Sequence, residues 1–128
     1  MITTTDIANL IYRTCKEFGI EVYQFGNIPR GEVTEPRITI HVKSGVGETW
    51  WRKGFAEVNF SVPDIEDSAG LIALNEYERL AWSVLDFTDE YDGSLFHFEV
   101  YSTEIIQDTQ FKCHYVNARV QYKVLNVK

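Results

Sequence analysis

Between Gly54 and Val62 hydrophobic and polar residues alternate. Ala56, Val58, Phe60 and Val62 take one parity, and Glu57, Asn59 and Ser61 take the other. A period of two predicts a strand with one buried face. Pro63 has no N–H to donate and closes the ladder, after which Asp64, Glu66, Asp67 and Ser68 supply helix-start chemistry. From Ala69 the period moves to near 3.6, with Leu71, Leu74, Tyr77, Ala81, Val84 and Leu85 down one side. One strand therefore feeds one long helix, and their apolar faces are expected to pack together.

The same reading covers the rest of the chain. Thr3, Thr4 and Thr5 offer helix N-caps, with Asp6 placed to favour the positive end of the dipole. Ile7, Leu10, Ile11, Thr14, Cys15 and Phe18 share a face, and Gly19 stops this short amphipathic helix. Residues 20–25 read as a strand and Asn27 to Pro36 as a loop. In Arg37 to Lys43, Ile38, Ile40 and Val42 point inward, and the glycine-rich turn 44–48 then leads into the strand already described as an antiparallel hairpin.

After the long helix Asp92-Gly93 marks a turn, Leu95 to Ile105 a strand, Asp108 to Gln110 a turn, and Phe111 to Val127 a closing strand. The order is helix, strand, strand, strand, helix, strand, strand. That predicts a single α+β domain over residues 1–128, with a mostly antiparallel sheet of about five strands and two helices packed on it.

With 128 residues the chain is long enough for one real core. A net charge of −7 argues against a broad nucleic-acid-binding face, which needs clustered Lys and Arg. The two cysteines, Cys15 and Cys113, are in neither a CxxC nor a metal-finger spacing and read as buried free thiols. The N-terminal residues MITTTDIANL lack the basic start and apolar run of a signal peptide, and no apolar run nears the ~20 residues that span a bilayer. A reducing cytoplasm and no membrane partner are the expectation.

Candidate chemistry is sparse. His41, His97 and His114 each fall in a strand, and only His97 has a carboxylate, Glu99, at i+2 on its own face. Cys113 and His114 are adjacent, so in a regular strand they point to opposite faces and do not meet as nucleophile and base. Asp86, Asp89, Glu90 and Asp92 lack the register of a calcium loop and read as a solvated acidic corner. Glu78 falls inside the apolar stripe of the long helix, so it must be paired, protonated or at the stripe's edge. No P-loop, GxGxxG or GxSxG is present. The expectation is no catalytic residue, no metal and no cofactor.

Three apolar residues assigned to the long helix, Ile72, Leu80 and Phe87, lie off its stripe. Since the sheet covers the first side, a second apolar side points to contact with another subunit. Trp51 and Phe55 take the outward parity of their strand; alternatively, a bulge at Gly54 turns one of them inward. Trp51, Phe55, Ile72, Leu80 and Phe87 are the candidate interface.

The N-terminal helix, the hairpin PRITIHVKSGVGETWWRKGFAEVNFSVPD, the helix ALNEYERLAWSVLD and the closing strands together resemble the tail-terminator and tail-completion proteins of lambda-like long-tailed bacteriophages. The likeness follows the whole chain and is most specific from Arg37 to Leu85, above all in VNFSVPD with the polar stretch and helix after it. The resemblance implies a non-enzymatic virion protein that forms a homo-oligomeric ring, commonly a hexamer. Such a ring caps the tail tube, meets head-completion proteins at the head–tail junction, and assembles in the host cytoplasm without specific nucleic-acid binding. Trp50-Trp51 matches no family-wide pattern. A cellular α+β interaction or assembly module, cytoplasmic and non-catalytic, is the alternative, and a small-molecule enzyme comes third.

Overall fold

The computed structural model describes residues 2–43 and 53–125. The predicted turn at 44–48 and the pair Trp50-Trp51 lie outside the described residues. Helix α1 (Thr4–Cys15) tightens into a short 3-10 turn and is followed by β1 (Glu21–Gln24), β2 (Arg37–Val42) and β3 (Lys53–Pro63). Helix α2 (Leu71–Val84) comes next, then β4 (Phe87–Tyr91), β5 (Ser94–Asp108) and β6 (Cys113–Val124). The fold is α+β, with both helices on one face of a six-stranded sheet ordered β1-β2-β3-β6-β5-β4. Only β1 and β2 run parallel; every other neighbouring pair is antiparallel.

Helix α1 begins as its threonines predict. Thr3 Oγ1 accepts from the Asp6 amide at 3.1 Å and Asp6 Oδ2 accepts from the Thr3 amide at 3.0 Å, a reciprocal cap. Helix α2 begins differently. Its N-cap is Gly70, which offers no side-chain bond, and the polar residues before it form a turn instead. Ile65 bridges Ser68 across that turn, with Glu66 and Asp67 at φ 50 and 64. Two consecutive left-handed residues fit a primed turn, so these acids reverse the chain rather than cap the helix.

The sixth strand is β4, in a segment predicted as the acidic end of the helix. The helix stops at Val84, and Phe87 to Tyr91 pair with β5 through a tight turn. Asp92 and Gly93, at φ 51 and 79, are the two central residues of that turn. Phe87 is therefore a strand residue. It stacks on Phe98 with ring centroids 4.5 Å apart and belongs to the rim of the core, not to an off-stripe helix face.

The core lies where the inward rows of the central strands meet the helices. Ile38, Phe60 and Val116 form one row across β2, β3 and β6, and Ile40, Val58 and Ala118 form the next. All six are buried. Ile7, Leu10, Ile11 and Cys15 of α1 and Leu74, Ala81 and Leu85 of α2 close over them. Phe60 joins the two halves, meeting Phe18 edge-on at 4.9 Å and Tyr77 face-on at 5.9 Å. Leu71, placed in the stripe by periodicity, is instead 63% exposed because it opens the helix, one turn before Leu74 reaches the sheet.

Two local features shape the sheet. Pairing of β3 with β6 runs without interruption from Lys53 to Pro63, so Gly54 makes no bulge. Gly54 is there because the Tyr122 ring lies directly over it, where a Cβ would overlap the phenol oxygen. In β5 a bulge does occur: Val100 pairs with Val120 and Ser102 with Arg119, leaving Tyr101 as the extra residue. Phe96, Phe98 and Val100 face the helices before it; Thr103 and Ile105, opposite Ala118 and Val116, face them after it.

Candidate assembly surface

Helix α2 covers the sheet with one side and exposes apolar side chains on the rest. Ile72 is 89% exposed, Leu71 63%, Trp82 49% and Leu80 38%. At 100° per residue, Leu71 and Trp82 lie over the β5 flank, Ile72 points outward, and Leu80 lies on the opposite flank. Trp82 and Leu71 were legible off the core side only once the helix's start and its orientation on the sheet were known.

The structure does not bring the sequence-predicted interface residues together. Ile72 and Leu80 are exposed on α2, Phe87 packs into the rim of the core, and Trp51 lies outside the described residues. Phe55 points to the sheet face away from the helices, where the Arg119 guanidinium lies 4.5 Å from its ring centroid and Tyr101 meets it edge-on at 5.5 Å. It is half-buried by these neighbours.

Glu78 is at the edge of the stripe and paired. The Thr103 hydroxyl donates to its Oε2 at 2.6 Å, and Trp82 Nε1 donates to the Thr103 oxygen at 3.2 Å. The β5 bulge puts Thr103 on the helix side, so one inserted residue makes this chain possible. The geometry is that of a satisfied structural carboxylate, which ties α2 to β5.

The remaining candidate chemistry is separated. His41 stacks on Phe25 at 4.2 Å, and Lys43 Nζ lies 3.3 Å from its Nδ1. His97 lies 3.2 Å from Thr88 Oγ1, 3.7 Å from Asp86 and 3.9 Å from Glu99. His114 meets Asp64 at 2.7 Å, fastening the turn before α2 to β6. Among the described residues no three His, Cys, Asp or Glu side chains group so as to hold a metal ion.

The acidic corner is divided between β4 and its flanking turns, with Arg13 of α1 donating to Asp89 at 2.8 Å. Both cysteines are free and buried. Burial pushes the Cys15 thiol up to about 12; burial, then the nearby Asp108, pushes Cys113 to about 11. These thiols are held as neutral hydrophobic groups. Among the described residues no helix is long and apolar enough to cross a membrane.

No protein-family model and no curated protein matches the chain. In fold it is similar to a solved protein whose name states no function, with a TM-score of 0.60 and 14% identity, over 100% of this chain and 99% of that one. At that identity the likeness speaks for the fold alone.

Proposed function

We propose that this chain is a non-enzymatic virion structural protein of the tail-terminator or tail-completion kind, whose copies close into a ring at the end of a tail tube. The observation that carries the reading is the exposed apolar surface of α2, a helix whose other side already covers the sheet. Ile72, Leu71 and Trp82 stand out from it by between 49% and 89% of their surface. Burying side chains of this size stabilises an interface by about 1.5–3 kcal/mol each when burial is complete. The order of elements and the resemblance of the hairpin and helix segments to the phage proteins supply the class of assembly. In it each copy meets the next through two different patches, the arrangement that closes into a ring. Tail-tube and head-completion proteins are then the partners above and below.

The test is the assembly state. Wild-type protein should form a closed oligomer by native mass spectrometry, alone at high concentration or on purified tail tubes. Ile72→Glu with Leu80→Glu should leave circular dichroism unchanged and return the protein to monomer. A wild-type chain that stays monomeric both at high concentration and on tubes overturns the reading.

A further inference from the structure

Only part of the outer edge of β5 is covered. Strand β4 pairs with it from Ser94 to Phe98, and past the bulge, from Ser102 to Asp108, no described strand lies on that side. The bulge also decides which backbone groups this open stretch presents. Leu125 donates to the Leu95 carbonyl at 2.8 Å, so before the bulge the odd residues of β5 bond to β6. In an antiparallel ladder such residues alternate with others that bond the opposite way. The extra residue Tyr101 reverses the alternation, and Thr103, Ile105 and Gln107 then aim their N–H and C=O groups outward. An edge of this kind, with no Pro or Lys along it, is a template for strand addition.

We infer that this edge pairs antiparallel with the same edge of a second copy, about a two-fold axis at Ile105. Few registers are open to it, because outward-aimed residues must face outward-aimed residues, which puts a residue at the centre. Centred on Glu104, the pairing sets that carboxylate against itself, and centred on Ile106 it sets Glu104 against Asp108. Centred on Thr103 it takes in the bulge, and centred on Gln107 it runs past Asp108 into the turn before β6. The centre at Ile105 uses the whole regular stretch 102–108. Thr103 exchanges backbone bonds with Gln107 of the second copy, and Ile105 with its own counterpart. Ser102 then faces Asp108 and Glu104 faces Ile106, so no like charges stand directly opposite.

Side chains favour the same centre. Ile105, 41% exposed on the helix side, meets its counterpart across the axis. Trp82, 49% exposed and bonded to Thr103 at 3.2 Å, flanks it in each copy and extends an apolar seam. A two-fold contact uses both edges at once, so it closes instead of propagating. Residues 102–108 fall well short of the roughly 20–30 residues a side of a stable interface, so this pairing does not hold two copies alone. It acts where a ring has gathered the edges. The α2 contact runs head to tail around one ring, and the two-fold edge contacts join that ring to a second, each reinforcing the rest.

This inference rests on the ring reading above, and the experiment separates the two. Native mass spectrometry and hydrogen exchange in solution are run on wild-type protein, Ile105→Lys, Ile105→Glu and an equimolar mixture of the two variants. Ile105 is partly exposed, so circular dichroism should stay unchanged in both variants. Wild-type protein should give paired rings, with slow exchange at amides 103, 105 and 107. Each variant sets like charges face to face on the axis and should weaken ring pairing at least about tenfold, leaving single rings. The mixture, with Lys facing Glu, should restore the doubled mass. Single wild-type rings with fast exchange at the three amides overturn the inference and leave the ring standing. Paired rings that survive either variant, or a mixture that stays single, also overturn it, because position 105 then does not face itself. A wild-type chain that stays monomeric in solution overturns it as well, and tail tubes then decide the ring reading alone.

Discussion

Adding a single methyl group at Gly54 tests why a glycine stands in the middle of the sheet. Its φ lies outside the left-handed region, so alanine is permitted by the backbone. In open space Gly→Ala at such a position stabilises by about 0.4–1 kcal/mol, because the unfolded chain loses freedom. Here the new Cβ would overlap the Tyr122 phenol oxygen and come within 2.5 Å of Cζ and 3.0 Å of Cε1.

The ring has nowhere to retreat. Tyr122 is fully buried, its centroid lies 6.1 Å from that of Phe98, and Phe98 is backed in turn by Phe87 at 4.5 Å. Overpacking of this kind costs about 1–3 kcal/mol. Setting the two terms against each other leaves Gly54→Ala destabilising by roughly 1–2 kcal/mol. Urea unfolding should show a lower midpoint with an unchanged slope. In a Tyr122→Leu background, where the ring is gone, the same methyl should be neutral or stabilising. A midpoint that is unchanged or raised by Gly54→Ala in the wild-type background refutes the account, as does a cost that survives removal of the ring.

Phe60 and Leu74 are both fully buried where sheet and helices meet, so truncating either to alanine should cost about 2–5 kcal/mol in urea unfolding. An unshifted midpoint would contradict their place in the core. Burial raises the Cys15 thiol from 9.0 to about 12, so the folded state keeps a proton that the unfolded chain releases above pH 9. Stability should therefore fall as pH rises from 9 toward 12, by up to about 1.4 kcal/mol per pH unit for this thiol.

Cys113 and Tyr122, raised to about 11 and about 12, act with the same sign, so Cys15→Ala should make the fall shallower without abolishing it. Parallel midpoint-against-pH curves for the two proteins would remove Cys15 as a source. With a net charge of −7 the chain should show no measurable affinity for duplex DNA in a low-salt shift assay; tight, salt-sensitive binding there would count against the proposed ring.

Local pattern determined most of the architecture. The alternation through Ala56, Val58, Phe60 and Val62 places one face of β3 in the core, because side chains two apart in a strand must share a side. The threonine and aspartate before Ile7 are enough to start α1, since capping involves only near neighbours. Free, buried cysteines also follow from spacing and composition.

Features that depend on a partner distant in sequence were settled by the tertiary structure. Phe87 has helical neighbours on one side and a strand ahead, and stacking on Phe98 is what draws it into β4. The acids at 64–67 suit a helix start or a turn equally well; Asp64, bonded to His114 fifty residues later, belongs to the segment that turns. Gly54 reads as a bulge until Tyr122 is brought over it. Glu78 is a misplaced charge in the helix pattern and an ordinary acceptor once the β5 bulge has turned Thr103 toward it. Among the described residues β4 pairs with β5 only from Ser94 to Phe98, because β4 has five residues and β5 fifteen, a mismatch between separate elements. Periodicity reports which side of an element is buried. Against what it is buried, and where cover runs out, depends on contacts between residues that the sequence leaves far apart.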